Sequence, residues 1–215
     1  MDPKALYTKR VDAYVSFNSL FGAYQAYLSF FRSYAGLRSG LRILDAGCGT
    51  GIPTLPLVRV LAERGLEHQR IDAFDLTPAM LARFRDSVTK AGIANVRVQE
   101  ADVLDLSGLP ADWADYDLII SAAMLEYVPR SQLVDVLASL RARLAAGGKL
   151  LLFITRRNWI TAVLIEKPWS ANRYTRPELT DALEGAGYPH LSFRKFPRSF
   201  FWHNFWAHVV EADRG

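Results

Sequence analysis

Cysteine is nearly absent. Cys48 is the single one in 215 residues, which excludes an internal disulfide and any cysteine-based metal cluster and matches the usage of a reducing compartment. Long apolar runs are missing as well: the longest, such as Trp159 to Ile165, cover seven residues, against the roughly 18 to 20 that a membrane-crossing helix needs. The start, Met1-Asp2-Pro3-Lys4, lacks the basic, apolar and small-residue series of a secretory leader, so the expectation is a cytoplasmic protein. No stretch is rich enough in Pro, Gly or Ser to be a linker, and there is neither an internal repeat nor a low-complexity tract. One domain over residues 1–215 follows from that length. Charge of one sign is also scarce. The net charge is +4, with no compact Lys/Arg cluster, a poor electrostatic footprint for nucleic acid.

What is present is a composition able to fill a core: half the residues are hydrophobic and 22% are charged, ordinary for a soluble globular chain. Their distribution is uneven. Residues 1–42, 43–150 and 151–215 carry net charges of +4, −3 and +3, and of 26 aromatic residues nine precede residue 35 while 11 lie between 155 and 206. The chain therefore divides into an aromatic helical segment (1–39), a core (40–156) and an insertion with a C-terminal segment on the substrate side (157–215).

In the core, strand-like runs alternate with helical periodicity, the pattern of parallel βαβ units. Strands are expected at Arg42 to Asp45, Arg70 to Phe74, Val96 to Glu100, Asp117 to Ser121 and Lys149 to Thr155, with two more near Leu191 to Phe196 and Trp206 to Ala212. Thr77-Pro78 is a helix start with Met80, Phe84 and Val88 on one face. A further helix spans Ser131 to Leu144 and stops at Gly147-Gly148. Thr175 and Glu178 form a capping box for the last helix, which ends at Gly185-Ala186-Gly187. Tyr14, Phe17, Phe21, Tyr24, Leu28 and Phe31 follow helical spacing near the N-terminus. The fold class is α/β: a doubly wound, mostly parallel seven-stranded sheet with helices on both faces and an N-terminal helical lid.

The chemistry gathers at strand ends. Arg42 to Gly51 reads as a strand entering a turn with glycine at 47, 49 and 51 and then a helix, where backbone can approach a ligand and free N–H groups face an anion. The next strand ends in Asp75, 24 residues after Gly51, where an acid can accept both hydroxyl hydrogens of a ribose. After the third strand, Asp102 can receive an adenine amino group and Val103 can lie against the ring; as a simple turn residue Asp102 would do neither. A nicotinamide dinucleotide site shares most of these parts, but its G-x-G-x-x-G spacing needs glycine at position 52, which is Ile52.

Taken in order, Leu44-Asp45-Ala46-Gly47-Cys48-Gly49-Thr50-Gly51, Asp75 to Leu81, Ala101-Asp102-Val103, Tyr116 to Ser121, Leu125 to Pro129 and Gly147 to Leu150 resemble the class I S-adenosylmethionine-dependent methyltransferases. The resemblance implies S-adenosylmethionine as cofactor, S-adenosylhomocysteine as product and no metal. It also implies that Asp45, Gly47, Cys48, Gly49 and Gly51 surround the methionine moiety, that Asp75 and Leu76 lie at the ribose, that Asp102 and Val103 hold adenine, and that Ser121 lines the floor.

An activated methyl on a sulfonium needs alignment more than covalent help, and a base adds rate for oxygen or acidic-carbon acceptors. Tyr14, Glu126, Tyr127 and His203 are the candidate bases, from segments where the family builds its substrate pocket. His203 and His208 have no usual metal-ligand spacing. The aromatic and cationic stretches Thr155 to Trp169 and Phe193 to Trp206 fit a small apolar or aromatic acceptor, lipid-like or anionic, with peripheral membrane association or a homodimer interface as further uses of the same surface. A cofactor-binding accessory subunit without catalysis is the alternative.

Overall fold

The computed structural model describes residues 22–162 and 171–215. Its order is α1 (Ala23–Ser33), β1 (Leu41–Ala46), α2 (Thr54–Glu63), β2 (His68–Asp75), α3 (Pro78–Lys90), β3 (Val96–Glu100), β4 (Tyr116–Ala122), α4 (Leu133–Ala142), β5 (Leu144–Thr155), α5 (Arg176–Gly185), β6 (His190–Arg194) and β7 (Ala207–Asp213). Seven strands form one sheet in the order β3-β2-β1-β4-β5-β7-β6. β1 to β5 pair in parallel, whereas β7 runs antiparallel to both β5 and β6. The central strands β1, β2 and β4 are apolar on both faces because helices cover both.

Side-chain alternation divides the core. Ile43, Ile71, Leu118, Ile120, Leu151 and Phe153 meet α1 and α2 through Phe30, Phe31, Leu57, Val60 and Leu61, and Ala73 meets Leu81 and Phe84 of α3. Leu44, Phe74, Ile119, Leu150, Leu152 and Ile154 point the other way, onto Val136, Leu137 and Leu140 of α4 and Leu179 and Leu183 of α5. The order of strands reverses between β1 and β4, so their carboxyl ends diverge and leave a crevice, the usual ligand position in open α/β sheets.

Several expectations need correction. The helix expected over Ser131 to Leu144 is α4, shorter at both ends, preceded by a 3₁₀ turn at Arg130–Gln132. Gly147-Gly148 does not end that helix; both glycines lie inside β5. Tyr116 pairs with Leu144 and Leu118 with Lys149, so β5 starts early and loops out extra residues as a bulge. The expected Leu191 to Phe196 strand ends at Arg194, where the chain turns into Pro197, and Trp206 closes a one-turn helix, His203–Trp206, before β7.

A lid is not what the described part of the N-terminal segment forms. Phe30 and Phe31 are buried, and the rings of Tyr27 and Phe30 meet Phe153 edge-on at 4.9 and 5.1 Å. α1 is thus a core helix; Tyr14 lies outside the described residues. Thr175 and Glu178 form the expected capping box at the start of α5. Among the described residues no helix is long and apolar enough to cross a membrane.

Candidate functional site

The crevice is built from the turn after β1. Gly47 and Cys48 both donate their N–H to the Phe74 carbonyl at 2.9 Å, and Gly51 N–H closes the turn on the Cys48 carbonyl at 2.8 Å. Gly51 has φ +82°, and a Cβ there would fall 2.3 Å from the Phe84 ring of α3. Only glycine meets both conditions. Leu55 N–H then bonds the Gly51 carbonyl at 2.9 Å, starting α2. Cys48 is buried, and burial first, then the nearby Asp45 and Asp75 carboxylates, pushes its thiol well above the ordinary range, so it is an inert packing residue.

Asp75, at the end of β2, anchors the loop. Its Oδ2 accepts the Gly49 N–H at 2.9 Å and its Oδ1 the Thr77 N–H at 2.8 Å. Burial raises its pKa while these bonds oppose the shift. The Thr77 side chain and the Leu76 backbone hydrogen-bond the same carboxylate. Leu76 follows, half-buried. Ala101 N–H bonds the Asp75 carbonyl at 3.1 Å, which brings Asp102 and Val103 to the same end of the sheet. There Asp102 Oδ1 accepts the Leu104 N–H at 2.9 Å, a turn-forming bond, and Val103 packs half-buried on the core.

Three fully buried polar side chains complete the crevice. Asp45 accepts a hydrogen bond on Oδ2 from the Thr54 hydroxyl of α2. Ser121 sits at the end of β4. Glu126 lies in the 3₁₀ turn Leu125–Tyr127 and accepts the Thr155 hydroxyl hydrogen on Oε1 at 2.6 Å. Asp45 Oδ1, Ser121 Oγ and Glu126 Oε2 are each buried without a hydrogen-bond partner among the described residues. Desolvation dominates both acids: Asp45 and Glu126 are each pushed up to about 7, against the opposing bonds from Thr54 and Thr155. Unpaired buried polar atoms cost free energy unless something else fills the position.

Of the candidate bases, Glu126 and the half-buried Tyr127 therefore share one turn at the crevice. That turn is braced by Asn172, whose N–H bonds the Glu126 carbonyl at 2.8 Å and whose side chain bonds the Val128 carbonyl at 2.9 Å. His203 lies in the one-turn helix before β7, its ring 5.1 Å from Phe196 and 6.1 Å from Phe200. His208 is buried in β7 and lowered to about 4, by desolvation and then by Arg156 and Arg176. No group of three His, Cys, Asp or Glu among the described residues is placed to hold a metal.

Sequence reasoning missed Thr54, Thr155, Asn172 and Ala123. The first three act only through tertiary contact. Ala123 has φ +53°, a conformation rare for a residue with a Cβ, and its N–H bonds the Phe153 carbonyl at 3.0 Å; no sequence signal marks it.

Comparison with known proteins adds four findings. Residues 43–148 match a family model described as a methyltransferase domain. The ubiquinone/menaquinone biosynthesis C-methyltransferase of Azotobacter vinelandii is 34% identical over 131 residues, 60% of this chain and 48% of that protein. Among solved structures, an O-methyltransferase family protein from Burkholderia thailandensis superposes with a TM-score of 0.72 at 15% identity, covering 93% of this chain and 58% of that one. The magnesium protoporphyrin IX methyltransferase of Synechocystis PCC 6803, determined with bound SAH, superposes with a TM-score of 0.61 at 16% identity, covering 98% and 84%. The chain spans about half the length of the curated relatives it matches.

Proposed function

We propose that the chain, whose residues 43–148 match a methyltransferase-domain family model, is a class I S-adenosylmethionine-dependent methyltransferase that transfers the cofactor's methyl group to a small, apolar or aromatic acceptor bound beside Glu126. The observation that carries this reading is the set of buried, unpartnered oxygens on Asp45, Ser121 and Glu126, near the carboxyl ends of β1 and β4 and in the turn that follows β4. Such atoms fit a polar, cationic ligand. The Asp75 carboxylate, an acceptor at the end of β2, suits the hydroxyls of a ribose, and the turn from Gly47 to Gly51 presents backbone rather than side chains. Bound there, S-adenosylmethionine supplies an activated methyl on a sulfonium.

The chain's own contribution is then positional and protic. Asp75 holds the ribose while keeping Gly49 in place, so cofactor and loop are registered by one carboxylate. Asp45, clamped by Thr54, offers Oδ1 to the methionine amino group, and Ser121 lines the floor. Asp102 is engaged in its own turn and retains one carboxylate oxygen for the adenine amino group, with Val103 beneath the ring. Glu126 is held by Thr155 and is partly ionised near neutral pH, the condition for accepting the proton of an oxygen or acidic-carbon acceptor. Tyr127, one residue on, orients the acceptor. Alignment of the reactants supplies the larger share of the rate.

The likeness to a quinone-pathway C-methyltransferase and the aromatic C-terminal segment support an apolar acceptor. The test is the destination of the label when the purified chain is incubated with methyl-labelled S-adenosylmethionine and an extract of apolar metabolites. Label in the organic phase is the expected result. Label confined to aqueous small molecules would overturn the acceptor class, and absence of transfer with cofactor binding intact would make the chain an accessory subunit.

A further inference from the structure

At the edge of the crevice the structure leaves large rings in water. Trp159 is 79% exposed, Phe201 57%, Phe205 53% and Trp202 39%. They belong to two segments that the backbone ties together. Arg156 N–H bonds the Trp206 carbonyl at 2.8 Å, the Arg156 guanidinium bonds the Asn204 carbonyl at 3.1 Å, and the Asn158 amide bonds the Phe205 carbonyl at 2.6 Å. Phe201 lies 5.8 Å from Trp202 and 6.3 Å from Phe205. The loop is firmly built: Asn204 accepts the Phe196 N–H at 2.8 Å and donates to the Phe196 and Phe201 carbonyls, and the Ser199 hydroxyl meets Ser29 of α1 at 3.2 Å. These rings therefore face outward from an ordered loop.

Charge accompanies them. Residues 156–162 and 195–208 contain Arg156, Arg157, Lys195 and Arg198 and no acid; Arg156 and Arg198 are exposed, whereas Lys195 lines a separate pocket with Tyr34, Lys149 and Glu211. Tryptophan and phenylalanine interleaved with cations is the chemistry of the interfacial layer of a negatively charged bilayer, where rings enter among the headgroups and cations meet lipid phosphates. Thr155, which holds Glu126, immediately precedes Arg156, so this surface adjoins the crevice.

We propose that the surface of Trp159, Phe201, Trp202 and Phe205, with Arg156 and Arg198, docks on an anionic lipid surface. Docking there would let an apolar acceptor pass from the bilayer to Glu126 without crossing water; that last clause rests on the methyltransferase reading, whereas the docking does not.

The experiment is flotation of the full chain with vesicles of pure phosphatidylcholine and of phosphatidylcholine with 30% phosphatidylglycerol as a probe composition, at low and high salt, alongside calorimetric titration with S-adenosylhomocysteine. The expected result is binding to the anionic vesicles at low salt, weakened by salt and by roughly five-fold for Arg198→Gln. A triple variant, Trp159→Ser, Phe201→Ser and Phe205→Ser, is expected to lose flotation while keeping its affinity for S-adenosylhomocysteine, which shows that it folds. No flotation of a chain that binds S-adenosylhomocysteine overturns the docking and leaves the methyltransferase reading standing. Flotation unchanged in the triple variant overturns it as well. So does a dimer in solution that the same triple variant dissolves, because the surface then belongs to a second copy of the chain.

Discussion

Asp45, Ser121 and Glu126 are buried in a crevice with an oxygen left over, and two of them are acids whose burial holds them near pH 7. That has a consequence for stability with a definite sign. The folded pKa of Glu126 is raised, so the folded chain keeps a proton that the unfolded chain loses, and stability falls as pH rises from about 4.5 to about 7. Glu126→Gln retains an acceptor for Thr155 and removes the charge. The variant is expected to show a shallower loss over that window and to exceed the parent at pH 8 by on the order of 1 to 3 kcal/mol, with no gain at pH 4. Denaturant melts at a series of pH values check this, and equal slopes in both proteins would contradict it. If Glu126 also takes the acceptor's proton, the same variant loses roughly 10² to 10⁴ in turnover at neutral pH. Binding of a cationic cofactor favours the ionised acids, so affinity for S-adenosylmethionine is expected to rise from pH 6 to pH 8, with proton release visible as a dependence of the titration heat on buffer.

Among the elements, the two loops at the crevice meet the same backbone condition, a positive φ, with different residues. Gly51 turns at positive φ directly over Phe84. Gly51→Ala adds a strained backbone and an overpacked contact, together about 2 to 4 kcal/mol of destabilisation, and Phe84→Ala in the same chain is expected to return part of the packing cost in a double-mutant cycle. Ala123 sits at φ +53° with a Cβ, so Ala123→Gly is expected to raise stability by about 0.5 to 1 kcal/mol; a fall in denaturation midpoint would show that the Ala123 side chain packs usefully. How far such loops could be read from sequence differs with what determines them. The glycine turn, Asp75 and the capping box at Thr175 were legible because each is a local requirement written in neighbouring residues. The start of β5 was not, since Gly147-Gly148 reads as a helix stop until pairing of Leu144 with Tyr116 shows a bulge. The partners Thr54 and Thr155 were equally hidden, because a hydroxyl acquires its role only when a distant acid is folded against it. His203 illustrates the converse: its position in the aromatic C-terminal segment was legible, but its packing against Phe196 and Phe200 was not.

For the whole molecule, the arrangement follows from one reversal in strand order, with β1 leading outward to β2 and β3 and β4 leading outward to β5, β7 and β6. The reversal brings Asp45, the Gly47 to Gly51 turn, Asp75, Ser121 and Glu126 to one end of the sheet although they span 82 positions of sequence. The central claim is that this end of the sheet is the S-adenosylmethionine site. Calorimetric titration of the purified chain and of Asp75→Ala with S-adenosylhomocysteine tests it most directly. One saturable site is expected in the parent. In the variant, loss of the proposed ribose bonds and of the brace on Gly49 is expected to weaken binding by roughly 10- to 150-fold, the equivalent of 1.5 to 3 kcal/mol, while the thermal unfolding transition remains cooperative. A parent that binds nothing, or a folded variant that binds with unchanged affinity, would contradict the account.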